Sequence, residues 1–118
     1  MTMVGFQNGT AVSTVTYWLE AYPSPDYLNS GGPEPVPGNG NTTLWTSFYN
    51  YGMSASLCNQ YTKAFNWATN YSNTENDTIP YNTLGPNSNS WVSTLLSSIG
   101  LPVPQPPTWS PGWGEPLP

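Results

Sequence analysis

Seven of the chain's fourteen prolines fall within residues 102–118, and that concentration constrains the fold more than any other feature. Proline has no amide hydrogen and its ring fixes φ, so "LPVPQPPTWSPGWGEPLP" is neither helix nor central strand. A second run rich in Pro and Gly, "YPSPDYLNSGGPEPVPGNGN" from Tyr22 to Asn41, also argues against regular structure. A loop of that length in a compact domain is either functional or disordered.

Regular elements are expected between these runs. "TMVGFQ", Asn8-Gly9 and "TAVSTVTYWLEAY" form a hairpin signature, a tight-turn dipeptide between β-branched and aromatic residues. Val15, Tyr17, Leu19 and Ala21 share one strand face, with Trp18 on the other. Val12 has the wrong parity for the apolar face, which predicts a bulge or strand end near Ser13. "TTLWTSFYNYG" fits a strand or a helical turn equally. Beyond it, Leu57, Tyr61, Ala64, Phe65 and Ala68 fall at helical spacing, predicting a helix over 56–70 with Ser54 or Ser56 as N-cap. "TIPYNTLGP" reads as an extended connector. A second helix is predicted over 87–99, with Val92, Leu95, Leu96 and Ile99 as its apolar stripe, Trp91 at the border, Gly100 just past the end and Pro102 forbidding continuation.

The 118 residues suit one domain with a modest core. Much of its burial must come from six Trp, eight Tyr and three Phe. Only 6% of residues are charged, against about 25% in typical domains. Lys63 is the single cation and faces six carboxylates, so nothing neutralises phosphates and neither nucleic-acid binding nor attachment to anionic membranes is expected. No stretch approaches the roughly 20 apolar residues of a membrane span. Cys58 is alone and reads as a small buried hydrophobe, so no disulfide framework and no cysteine metal site is expected. Histidine is absent, which removes imidazole base catalysis and imidazole metal ligation. No cofactor is implied. Sequons occur at Asn8, Asn41, Asn70 and Asn76, but a chain this rich in Asn, Ser and Thr produces them by chance.

The most informative stretch is "GPNSNSWVSTLLSSIG". Its Asn-Ser-Asn-Ser cluster has a direct structural role, since an Asn or Ser at an N-cap accepts from first-turn amides that are otherwise unpaired. "IPYNTLGPNSNSWVSTLLSSIGL", with "SPGWGEPL" behind it, also resembles the C-terminal part of permuted NlpC/P60, or papain-like, domains of bacterial secreted and polymorphic-toxin-like proteins. The resemblance is sharp from Ile79 to Leu117; before that it is confined to "GGPEP" in the long loop. It implies a scaffold in which an Asn-Cys pair stands at a helix N-terminus and a strand supplies His. Carried onto this chain, the nucleophile position is Ser88, directly after Asn87. The departure is double, because Ser replaces Cys and no His exists. A hydroxyl without an adjacent base is a weak nucleophile.

Two other chemistries have candidate residues in the sequence. Glu20, Asp26 and Glu34 offer carboxylates for a glycosidase-like pair, though no flanking pattern supports one. Trp18, Tyr22, Tyr27, Trp109 and Trp113 offer amphipathic rings for contact with a protein chain or a glycan. The PxxP match at Pro104–Pro107 lacks the basic neighbour of an SH3-type ligand and reads better as an extended strap.

The sequence thus predicts a small single α+β domain over 1–101, an N-terminal hairpin or antiparallel sheet packed on two helices. Residues 102–118 form a Pro/Trp-rich strap docked on it. The expected function is a secreted or surface-exposed, non-catalytic interaction or assembly module on a degenerate papain-like scaffold. The alternatives are a hydrolase with Ser88 as nucleophile beside Asn87, and a glycan-binding module.

Overall fold

The computed structural model describes residues 2–7, 10–16, 19–33, 57–106 and 108–118, with the backbone alone over the first two of these segments and at Cys58. Strands β1 (Thr2–Gln7) and β2 (Thr10–Thr16) pair antiparallel. Gly5 faces Ser13 and Phe6 faces Ala11, so Val12 is the extra residue of a bulge. The parity of Val12 therefore located the irregularity to within a residue. The turn at Asn8-Gly9 and the residues Tyr17 and Trp18 lie outside the described residues, as do the segment 34–56 and the predicted caps Ser54 and Ser56.

The strand expected to reach Ala21 stops sooner. β2 ends at Thr16, Leu19 to Ala21 are not strand, and a two-residue strand β3 (Tyr22–Pro23) pairs with β4 (Leu28–Asn29). The start of the Pro- and Gly-rich run is thus ordered, contrary to the sequence expectation. Its order comes from a partner distant in sequence. Residues 79–81 lie along the ribbon, with Leu28 N–H donating to Ile79 O at 2.8 Å, Tyr81 N–H donating to Asp26 O at 2.7 Å, and a bridge between Tyr27 and Pro80. Two reciprocal side-chain pairs lock the same junction. Asn76 donates to Ser30 O at 2.8 Å and accepts from Ser30 N–H at 2.9 Å. Asn29 donates to Asp77 Oδ1 at 2.9 Å and accepts from Asp77 N–H at 2.9 Å.

Helix α1 (Cys58–Thr74) runs four residues past the predicted end at Asn70. The added turn carries Tyr71, 3% exposed, whose hydroxyl donates to Leu28 O at 2.6 Å. Its burial repays a polar run that propensity alone would not extend. Helix α2 (Ser88–Ser98) matches the prediction closely. It closes with a Schellman motif, Leu101 N–H to Leu96 O at 3.0 Å and Gly100 N–H to Ser97 O at 3.2 Å, made possible by Gly100 at φ 79°.

The molecule is a small compact α+β single domain, with β1 beside α1 and the two helices packed together. Ala64 and Ala68 on α1, fully buried, share the core with Leu95 and Leu96 on α2 and with Ile99 just past its end. Trp91, predicted at the border of the stripe, is instead its centre and is fully buried. Its ring meets Trp67 edge-on at 5.3 Å and Tyr71 at 5.8 Å. The indole N–H finds no acceptor among the described residues, and the contacts they give the ring are packing contacts. Burial, and then Glu75, push the Tyr71 hydroxyl up to about 12.

Candidate functional site

The polar cluster at the start of α2 is built by a turn and closed by the strap. Asn82 forms the turn: its Oδ1 accepts from Leu84 N–H at 3.0 Å, its carbonyl from Gly85 N–H at 2.9 Å, and its own N–H donates to Pro86 O at 2.8 Å. The Gly85–Pro86 peptide is cis. The chain then enters α2 through Asn87, which is the N-cap.

Asn87 uses its whole side chain. Oδ1 accepts from Asn89 N–H at 2.9 Å and Ser90 N–H at 3.2 Å, the two amides a cap is expected to satisfy. Nδ2 donates to Thr83 O and to Pro111 O, each at 3.0 Å. Both donors and both lone pairs of the amide are therefore committed. Ser90 closes the capping box by accepting from Asn87 N–H at 3.3 Å, and donates to Gly112 O at 2.9 Å.

The partners on the far side all belong to the strap. Asn89 donates to Pro111 O at 2.9 Å, Ser93 accepts from Gly114 N–H at 3.1 Å, and Thr94 accepts from Leu117 N–H at 3.1 Å. Residues 111–117 thus run alongside 87–94. Close approach at the first of these contacts needs a glycine. Gly112 has φ 79°, and a Cβ there would stand 2.5 Å from Ser90 Oγ and 2.6 Å from Asn87 Oδ1.

None of these bonds involves Ser88 Oγ. Ser88 is half-buried, and its neighbour Asn87 is occupied by the cap and the strap. The chemistry the cluster performs here is the satisfaction of helix-end and strap backbone groups. Lys63, the only amine side chain, is exposed on α1. The capping cluster expected from the sequence includes Asn87 and Ser90, but Ser93 and Gly112 carry no such expectation. The available signal was a polar stripe, Asn87, Ser90, Ser93 and Thr94, at helical spacing beside the apolar one.

On its outer side the strap forms an open cleft of about 620 Å³, whose walls include Leu84, Gln105, Pro106, Trp109, Trp113 and Glu115. Trp109 is 81% exposed and Leu84 64%. Trp113 is half-buried, its indole N–H donating to Pro104 O at 2.9 Å, and packs against the core. Of the aromatic residues singled out in the sequence, Trp109 and Trp113 come together in this cleft. Tyr22 and Tyr27 stand on the β3–β4 ribbon and do not line it; Tyr22 is half-buried and Tyr27 is 37% exposed. Trp18 lies outside the described residues.

Among the described residues no group of three His, Cys, Asp or Glu side chains could hold a metal ion, and no helix is long and apolar enough to cross a membrane. No family model matches the chain, and no curated protein and no solved structure matches it.

Proposed function

We propose that the protein is an extracellular or surface-exposed interaction module that contacts another protein chain through the Trp109 cleft. Its framework would be a papain-like scaffold whose nucleophile position, Ser88, no longer serves catalysis. The observation that carries the proposal is the exposure of Trp109 at 81% on a segment pinned immediately downstream. Pro111 and Gly112 are fixed by three hydrogen bonds to α2, from Asn87, Asn89 and Ser90. A large aromatic held out in solvent beside a pinned backbone matches the anchors that dominate protein interfaces, because less backbone ordering remains to be lost on contact.

The test is site-specific crosslinking. A photoreactive phenylalanine at position 109 is expected to trap a discrete partner species in producing cells, while the same group at Thr62, exposed on α1, traps none. Equal trapping at both positions, or none at 109, would remove the reading. A serine-reactive phosphonate should leave Ser88 unlabelled; labelling abolished by Ser88→Ala would favour the hydrolase instead.

A further inference from the structure

The cleft's chemistry narrows the kind of partner. Among its lining residues only Glu115 carries a charge, and the rest are Trp, Pro, Gly, Leu, Ser, Thr and Gln. The Glu115 carboxylate rests over Gly85, where any Cβ would meet it. Trp109 and Trp113 share the same walls, and the face of an indole ring carries negative potential. The wider field has the same sign, at net −5 with Lys63 as the single cation. An anionic ligand is repelled on every one of these counts. A purely apolar one leaves a carboxylate desolvated without a partner.

We propose that the cleft receives a cationic side chain, an arginine or lysine presented by a segment of the partner protein. Arginine fits best. Its planar guanidinium can stack flat on an indole face with its N–H groups directed outward toward a carboxylate, a geometry that suits the pair of contacts better than lysine's compact ammonium. The acidic surface adds long-range steering toward a basic partner. This inference rests on the interaction reading of the cleft and specifies its chemistry.

The experiment is calorimetric titration of the full chain with acetyl-Gly-Arg-Gly-Arg-Gly-amide and with the same peptide carrying Gln in place of Arg. The Arg peptide is expected to bind in the millimolar range or tighter and the Gln peptide at least about five-fold more weakly, the discrimination that a cation–π contact plus a partly screened ion pair supplies. Trp109→Ala and Glu115→Gln should each weaken the Arg peptide by roughly three- to five-fold. Asp26→Asn removes the same charge from an exposed residue that does not line the cleft and should change binding by less than about two-fold, since an exposed charge that makes no contact with the ligand acts only through screening solvent. Trp109 and Glu115 are both exposed, and circular dichroism verifies that the variants stay folded.

Equal affinity for the two peptides, equal losses in Asp26→Asn and Glu115→Gln, or no binding at several millimolar peptide would overturn the inference. Crosslinking at position 109 separates this failure from the broader one. A partner trapped at position 109 while the Arg and Gln peptides bind with equal affinity leaves the interaction reading standing with its cationic chemistry refuted; absence of any trapped partner removes both.

Discussion

Gly112→Ala tests whether the strap is held by the α2 cap or merely lies beside it. Gly112, Gly114 and Gly100 have nearly the same backbone, φ 79°, 82° and 79°. An L-residue in that region costs about 1–2 kcal/mol, common to all three. They differ in what a Cβ would meet. At Gly114 and Gly100 there is nothing within 4 Å, whereas at Gly112 the new carbon stands 2.5 Å from Ser90 Oγ, 2.6 Å from Asn87 Oδ1 and 2.9 Å from Asn87 Nδ2. Those atoms move only by giving up the bonds they make, from Ser90 Oγ to Gly112 O, from Asn87 Nδ2 to Pro111 O, and to Asn87 Oδ1 from the Asn89 and Ser90 N–H groups. Each such bond contributes about 0.5–1.5 kcal/mol net. Gly112→Ala should therefore cost about 3–5 kcal/mol, against about 1–2 kcal/mol for Gly114→Ala or Gly100→Ala. For a domain of this size 1 kcal/mol moves Tm by roughly 4 °C, which predicts a gap of about 8 °C or more between Gly112→Ala and its controls in a thermal melt. Amide exchange at residues 112–117 and the indole N–H resonance of Trp113 should report release of the strap in the same variant. If the three substitutions lower Tm equally, the socket contributes nothing beyond backbone conformation and the account of Gly112 is wrong.

Asn87→Ala should destabilise by about 2–4 kcal/mol in denaturant titrations, since it removes a cap and two further bonds, whereas Ser88→Ala should stay within about 0.5 kcal/mol; the reverse order would show that Ser88 carries structure. Tyr71 has its pKa raised to about 12 by burial and by Glu75, so the stability it contributes is complete below about pH 10 and is lost as pH rises toward 12. Screening of the exposed Glu75 carboxylate keeps that loss to no more than about 2 kcal/mol, and Tyr71→Phe should flatten this alkaline limb of the stability curve while forfeiting the bond to Leu28 O. Asn76→Ala breaks the reciprocal pair with Ser30 and should cost about 1–3 kcal/mol, with amide exchange accelerating first at Ser30; unchanged protection there would mean that the ribbon is held by its backbone bonds alone.

What the sequence disclosed follows the range over which each signal acts. Parity along one strand located the Val12 bulge, and a 3.6-residue period with Gly100 at its end located α2. Those signals are local. The ordering of Tyr22 to Ser30 depends on Asn76 and Asp77, forty-six and forty-eight positions from their partners, and no neighbour of Tyr22 announces it. The extension of α1 depends on Tyr71 reaching Leu28. Proline ruled out helix and central strand in the tail without saying where the tail goes, because its destination is written in Ser90, Ser93 and Thr94 on another element. The papain-like resemblance directed attention to Ser88, whereas the bonds at that helix end are made by the residues on either side of it.

Placing the tryptophans follows the same logic and bears on function. In a chain this short of aliphatic residues, the core uses Trp91 at its centre and Trp67 beside it. Burying one large side chain is worth about 1.5–3 kcal/mol, a large fraction of the 5–15 kcal/mol that stabilises a typical domain. Trp109 makes almost none of that contribution, at 81% exposed, although Trp113, four residues on, is tied to Pro104 and packs against the core. The strap therefore brings one indole inward and turns the other out, with Pro106 and Pro111 stiffening the segment that carries it. A ring withheld from the core beside a pinned backbone has less backbone entropy to lose if a partner covers it, and the hydrophobic free energy not realised in folding is then available to binding.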